Sequence, residues 1–259
     1  MLLTVDIGNS NIVIGGMDQR NIVFISRIET NAGRTADQYA VELLQITTLY
    51  NIPRNQFSGA ILSSVVPALT DVLFRAIVHF IGKEPLVVGP GLKTGLDIRI
   101  GNPSQLGSDI VANAVAAITL YPAPLIFVDM GTATTISAVG KDKDFLGCSI
   151  LPGIRISADA LTGHAAQLQS VALESPAGII GTNTVDAIKS GVVYGTASTL
   201  DGMFARMSEA MPAPPKSIIL TGGNARFIQK HLKTKVIYDP NLLLTGLSIL
   251  YEKNAIEVK

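Results

Sequence analysis

Two short segments carry residue types that suit phosphate chemistry. Asp6-Ile7-Gly8-Asn9-Ser10-Asn11 follows an apolar run at residues 2–5, and Asp129-Met130-Gly131-Thr132-Ala133-Thr134 follows another at residues 125–128. In each, a strand ends in an acid, a glycine turn follows, and a second apolar strand begins. An aspartate at the end of a strand suits a hydrated Mg²⁺. A glycine turn lets backbone N–H groups approach phosphate oxygens, because no Cβ stands in the way. The two segments align residue by residue from Leu3 with Ile126 to Ile12 with Thr135, so the chain reads as an internal duplication. A third glycine turn, Thr221-Gly222-Gly223-Asn224-Ala225, follows the strand at residues 217–220. With two phosphate hairpins upstream, it reads as an adenosine-side turn. The phosphate loop Gly-x-x-x-x-Gly-Lys-Ser/Thr is missing, and no Gly-x-Gly-x-x-Gly joins a strand to a helix.

The elements that must position these turns follow from hydrophobic spacing. Residues 2–6, 12–16 and 22–28 read as a β-meander, followed by a helix over 35–50 that Pro53 stops. A strand at 59–66, a helix at 67–81 and a brief strand at 86–88 come next. Residues 89–105 are rich in Gly, Pro and Asn and read as a functional loop region. The next helix, 107–120, has Ser104 or Ser108 as its cap. Leu106, Ile110, Ala114 and Ile118 share one side of it, and Asp109 with Asn113 a different, polar one. Pro122 and Pro124 end it, giving domains 1–121 and 122–259. A helix begins at 226, and another at 241–252 closes the chain. Two phosphate hairpins followed by an adenosine-side turn resemble the order of the actin-like superfamily, so the expected fold class is α/β: two duplicated actin-like (ribonuclease H-like) domains with a nucleotide cleft between them.

Composition narrows the functional classes. Apolar residues make up 47% and charged residues 15% of 259, yet the apolar runs are short. That suits sheet covered on both faces rather than a spanning helix. Twenty basic and twenty acidic residues leave no net charge, so nothing selects for nucleic acid or an anionic membrane. The start has no basic n-region, and the lone Cys148 forms no internal disulfide; a reducing cytoplasm is expected. Cys148 itself reads as a small buried hydrophobe. The three histidines are far apart and give no zinc spacing.

Further along, Arg34-Thr35-Ala36-Asp37, Ser64-Val65-Val66-Pro67, Asn102-Pro103 with Leu106-Gly107-Ser108-Asp109, Pro152-Gly153 and Gly181-Thr182-Asn183-Thr184 fall in order around the two phosphate hairpins. Together the set resembles the type III pantothenate kinase family, over nearly the whole chain. The resemblance implies ATP-dependent phosphorylation of pantothenate to 4′-phosphopantothenate, the first step of coenzyme A synthesis. It implies that Asp6, Ile7, Gly8, Asn9, Ser10, Asn11, Ile12 and Val13 form the first ATP loop, with Asp6 near Mg²⁺. It places Thr132 on an ATP phosphate and a monovalent cation, K⁺ or NH₄⁺, at Asp129. Asp109 becomes the general base. Gly107, Ser108, Asp109, Ile110 and Thr184 line the pantothenate site, and His164 reaches the partner's site in a homodimer. Asp109 read from its position alone is a helix-start acid complementing the dipole.

Departures from the family pattern matter too. Ile110 stands where Arg is usual, Ile100 where some members have Tyr, Gln38 where Glu is common, Cys148 where Gly is common, and Gln169 where Pro is common. Loss of the Arg removes a bidentate partner for a carboxylate and implies weaker pantothenate binding, with Arg99 and Arg155 as alternative cations. Two rival readings remain: the same fold acting on another small acceptor, and a non-catalytic relative that binds such ligands and regulates. Intact Asp6, Asp109, Asp129 and Thr132 speak against the second.

Overall fold

The computed structural model describes residues 1–164, 168 and 171–255, with His164 described by its backbone alone. The chain forms two compact units. The first holds Met1–Gly95, Asn102–Ala116 and Leu242–Lys259, and the second holds Leu96–Gly101 and Ala117–Asn241. This division differs from a single cut after residue 121. The closing helix returns to the first unit, a six-residue strap joins the second, and the passage at Ala116 falls inside a helix. The prolines at 122 and 124 punctuate the chain locally. Packing, which pairs segments far apart in sequence, sets the units.

The first unit is built on a five-stranded sheet. Its strands are β1 (Leu2–Ile7), β2 (Asn11–Asp18), β3 (Asn21–Glu29), β4 (Gly59–Ser64) and β5 (Leu86–Val87), in the order β3-β2-β1-β4-β5. The hairpin strands pair antiparallel; β4 runs parallel to β1, and β5 to β4. Every residue of β1 is buried, as expected of a central strand covered on both faces. Leu3, Val5 and Ile7 face a core shared with Tyr39 and Leu43 of helix α1 (Ala36–Leu49) and Leu69, Leu73 and Ile77 of α2 (Pro67–Ile81). Thr35 caps α1, with Gln38 completing a reciprocal capping box, so Gln serves there as Glu would. Against the strands β1 and β4 lies α7 (Leu242–Ala255). At Gly246 it meets α3 (Ser108–Leu120) so closely that an added Cβ would stand 1.9 Å from the carbonyl oxygen of Ala112.

The second unit repeats the pattern. Strands β7 (Leu125–Met130), β8 (Ala133–Val139), β9 (Asp144–Pro152), β10 (Ser217–Thr221) and β11 (Ile237–Tyr238) lie in the order β11-β10-β7-β8-β9. The parallel and antiparallel senses match those of the first sheet. The strap adds β6 (Asp97–Ile98) as a sixth strand, parallel to β9. Arg99 secures it, with Nε 2.7 Å from Asp97 and its guanidinium 3.5 Å from Asp144. Helices α4 (Ile154–His164), α5 (Thr184–Ala210) and α6 (Ala225–Ile228) share a core with Ile126, Val128 and Ile136. The expected helix from 226 is this short α6 followed by a 3-10 turn to His231. Tyr121, just beyond α3, donates to Asp239 Oδ2 at 2.8 Å, and burial with that bond pushes its hydroxyl pKa up to about 12.

Cys148 departs from expectation. It is exposed, because it shares with Ile150 the outward face of β9. Asn113, expected on a polar face, is fully buried, and so are most of its α3 neighbours. Gln169 and the side chain of His164 lie outside the described residues. The close approach at Gly246 gives a direct check. Gly246→Ala forces two backbones apart and should cost about 1–3 kcal/mol in thermal unfolding. Gly202→Ala, whose Cβ on α5 meets nothing within 4 Å, should cost nothing measurable.

Candidate active site

Each central strand delivers its acid by the same register. Asp6 pairs with Val13 on the hairpin side and with Ser63 on the parallel side. Asp129 pairs with Thr135 and Thr221 in the same way. The duplication therefore extends to the polar residues, since each acid stands beside a hydroxyl on its parallel neighbour. Asp6 is 8% exposed at the strand end. The Gly8 amide closes the turn onto the Asn11 carbonyl at 3.0 Å, and Thr30 Oγ1 donates to the Gly8 carbonyl at 2.7 Å. Asn9, Ser10 and Asn11 are left exposed at the tip. Ile7 and Ile12 point into the core and offer only backbone groups.

The second loop is built of three chain segments. Gly131 N–H bonds the Ala133 carbonyl, and Gly153 N–H bonds the Thr132 carbonyl at 3.1 Å. A Cβ on Gly153 would stand 2.1 Å from that carbonyl oxygen, which accounts for the glycine after Pro152. Gly222 has φ +93°, a conformation that favours glycine, and a Cβ there would stand 2.5 Å from both Asp129 Oδ1 and the Met130 amide nitrogen. Asn224 then ties the turn down. Its amide donates to the Met130 carbonyl at 3.1 Å, and its Nδ2 to the Gly131 carbonyl at 3.1 Å. The glycine turn at 221–225 is thus welded to the Asp129 loop. Thr132 is exposed above it.

The segment from Gly107 to Ile110 lies in the first unit. Asp109 is in the first turn of α3, its Oδ1 accepting from the Ile110 amide at 2.8 Å. Gly107 makes room for this, because a Cβ there would stand 2.4 Å from Asp109 Oδ1. Burial pushes the Asp109 carboxyl above its ordinary 3.8, and the amide hydrogen bonds oppose the rise. Ser108 bonds to Ser63 and Ser64 at the end of β4. Ile110 is 7% exposed and packs inward, as its spacing predicts. Thr184, in contrast, is exposed at the start of α5 in the second unit. There Asn183 caps the helix by accepting from the Asp186 amide at 2.9 Å. Gly181 packs on that first turn, 2.3 Å from the Ala187 nitrogen if a Cβ were added.

The structure thus gathers Gly107, Ser108, Asp109 and Ile110 at one helix start and Asp129, Thr132, Gly153 and Asn224 around one loop. Sequence reasoning missed Ser63 and the tying role of Asn224. The available signal for Ser63 was a pair of hydroxyls ending an otherwise apolar strand. Arg99 is held by Asp97 and Asp144, whereas Arg155 is exposed at the start of α4 and enters no ion pair among the described residues.

Paired sheets of one topology, each with an acid and a glycine turn at the end of its central strand, define the actin-like class of nucleotide-handling folds. Solved structures agree. The activator of 2-hydroxyisocaproyl-CoA dehydratase from Clostridium difficile with bound ADPNP has a TM-score of 0.58 at 12% identity, covering 100% of this chain and 98% of that one. Component A of (R)-2-hydroxyglutaryl-CoA dehydratase from Acidaminococcus fermentans has a TM-score of 0.53 at 14% identity, covering 96% of each. At such identity the likeness shows the fold alone. A family model described as type III pantothenate kinase matches residues 2–206. The type III pantothenate kinase of Geobacillus sp. strain WCH70 is 42% identical over 98% of both chains. That of Bacillus cytotoxicus is 41% identical over 99% of this chain and 97% of its own. The chain belongs to the type III pantothenate kinase family.

The raised pKa of Asp109 has a sign that can be checked. A carboxyl with a higher pKa in the folded state adds stability below its unfolded value, and that stability is lost as pH rises through the folded value. The ionised side chain is thus a net cost at neutral pH. Asp109→Asn keeps an oxygen for the Ile110 amide but removes the charge. The variant should melt above the native protein at pH 7, with the gap closing as pH falls toward 3.8. Thermal melts across that range read it directly.

Proposed function

We propose that this chain phosphorylates the primary hydroxyl of pantothenate at the expense of Mg-ATP, with Asp109 as general base. The observation that carries the assignment of the base is the partly buried carboxylate on Gly107, whose affinity for a proton burial has raised. A primary alcohol is a poor nucleophile at neutral pH. A carboxylate within hydrogen-bond reach takes its proton as the new O–P bond forms. In the first unit, residues 6–13 hold ATP through backbone amides and the exposed tip side chains; in the second, Thr132 meets a phosphate.

The donor set suits the metals. No cluster of three or more His, Cys, Asp or Glu side chains stands ready for a metal among the described residues. Mg²⁺ needs none, since it is held by one or two carboxylates together with substrate phosphates and water. Asp6 supplies one such carboxylate, and the ion, when bound, neutralises charge on the transferring phosphoryl group. Asp129 is assigned to K⁺ or NH₄⁺. We further read the protein as a cytoplasmic homodimer, with His164 reaching the partner's site and Thr184 lining the pantothenate site. Support comes from strongly exposed apolar side chains in the second unit, Ile150, Ile179 and Ile180. No helix among the described residues is long and apolar enough to cross a membrane.

A second reading, another small acceptor, rests on Ile100 and Ile110, which stand where the family pattern has Tyr and Arg. Ile110 is buried and Arg99 is already paired, so neither offers charge to a carboxylate, and Arg155 is the remaining cation of the three positions. A coupled assay with and without pantothenate separates the readings, as native protein without pantothenate-dependent turnover favours the second. Asp109→Asn should lose roughly 10²–10⁴-fold in kcat while still binding ATP; near-native turnover would remove Asp109 from the chemistry. Asp129→Ala should abolish stimulation by K⁺ over Na⁺. A native enzyme equally active in Na⁺ alone would contradict the cation assignment.

A further inference from the structure

The hydroxyl of Ser108 is fully occupied within its own unit. It accepts from Ser63 Oγ at 2.9 Å and from the Ser64 amide at 3.0 Å, and donates to the Ser64 carbonyl at 2.9 Å. A serine hydroxyl has one donor and two acceptor positions, and these three bonds use all of them. Ser64 Oγ is engaged as well, accepting from Thr70 at 2.9 Å and from the Val66 amide at 3.1 Å. Ser63 is fully buried and stands opposite Asp6 in the parallel register of β1 and β4. One strand step and one hydrogen bond therefore connect the acid of the first phosphate loop to the residue preceding Asp109.

The geometry points to Ser108 as a positioning residue that pins the start of α3, and with it the Asp109 carboxylate, to the strand beside Asp6, rather than as a contact to the acceptor. The inference rests on the reading of Asp109 as the base. Its physical content is that the hydroxyl has no bonding capacity left for a ligand, while its loss strands the Ser63 hydroxyl and the Ser64 amide. A carboxylate misplaced by about 1 Å costs on the order of 10²-fold in rate. The effect belongs in kcat, because Ser108 itself touches neither substrate.

The test is Ser108→Ala beside Ser108→Thr, which retains the hydroxyl. Ser108→Ala should lose roughly ten- to a hundredfold in kcat, with KM for ATP and pantothenate within about twofold of native. The acidic limb of its pH profile should move to lower pH as the loosened carboxylate gains water, and Ser108→Thr should recover most of the rate. Hydrogen exchange at the amides of residues 108–112 should quicken in Ser108→Ala. Unchanged kcat and pH profile would overturn the proposal. A raised pantothenate KM with native kcat would also overturn it, making Ser108 an acceptor contact. Should Ser108→Ala fail to fold, Ser63→Ala removes one of the three bonds and should show the same changes in smaller measure. The exchange measurement does not depend on the acceptor. Equal protection in variant and native protein would sink the clamp, while absent pantothenate turnover in native protein would instead sink the functional reading.

Discussion

The parallel pairing of β1 with β4, and of β7 with β10, is the constraint on which the rest depends. A strand in the middle of a sheet covered on both faces must be apolar until its last residues, where it leaves the core. An acid placed there is fixed by the ladder hydrogen bonds, since slipping by one residue would turn every side chain to the opposite face. Asp6 and Asp129 owe their positions to that register, and so do the hydroxyl residues opposite them, Ser63 and Thr221. The antiparallel hairpin on the other side fixes the turn that follows each acid.

The two copies have diverged in what they place against this shared frame. In the first unit, the strand beside the acid receives the start of α3 through three hydrogen bonds to Ser108. In the second, the equivalent strand runs into the turn of Gly222 and Asn224, which folds back on Met130 and Gly131. One frame thus presents an ionisable carboxylate and the other a glycine turn too tight for any side chain. The same register serves two chemistries because what differs comes from loops, while the strands only position them.

Much of this was legible in the residues. The duplication, the hairpins, α1, α2 and the closing α7 follow from hydrophobic spacing and punctuation alone. What escaped was set by packing between distant segments. The unit boundary runs through α3 at Ala116, inside a continuous helix whose sequence carries no break there. The long α5 mixes glycines, serines and threonines with its apolar residues and shows no clear stripe. Cys148 sits on a strand whose other face is covered, so its type suggested burial where its parity put it in the open. At the site, the acids and glycines were readable because their types are chemically restricted. Ser63 was not, because a hydroxyl ending a strand is common and only its distance to Ser108 gives it meaning.

Helix α3 shows why an ionised carboxylate at its start costs stability. Ile110, Val111, Ala112, Asn113, Ala114, Val115, Ala116 and Ala117 are all buried, so the helix has almost no solvent face. A helix in such surroundings excludes water from its own first turn, and that exclusion is what raises the affinity of Asp109 for a proton. The same desolvation that makes the carboxylate a better base makes its ionised form unfavourable in the folded state. Gly107 and the amide of Ile110 relieve part of the cost by letting the carboxylate fold onto the helix start. The small residues of the helix, with Gly246 against Ala112, allow the close backbone approach that holds it there. Basicity at Asp109 and tight packing along α3 are therefore one property of the fold. A change that opened the helix to water would relax the carboxylate toward its ordinary value and weaken it as a base.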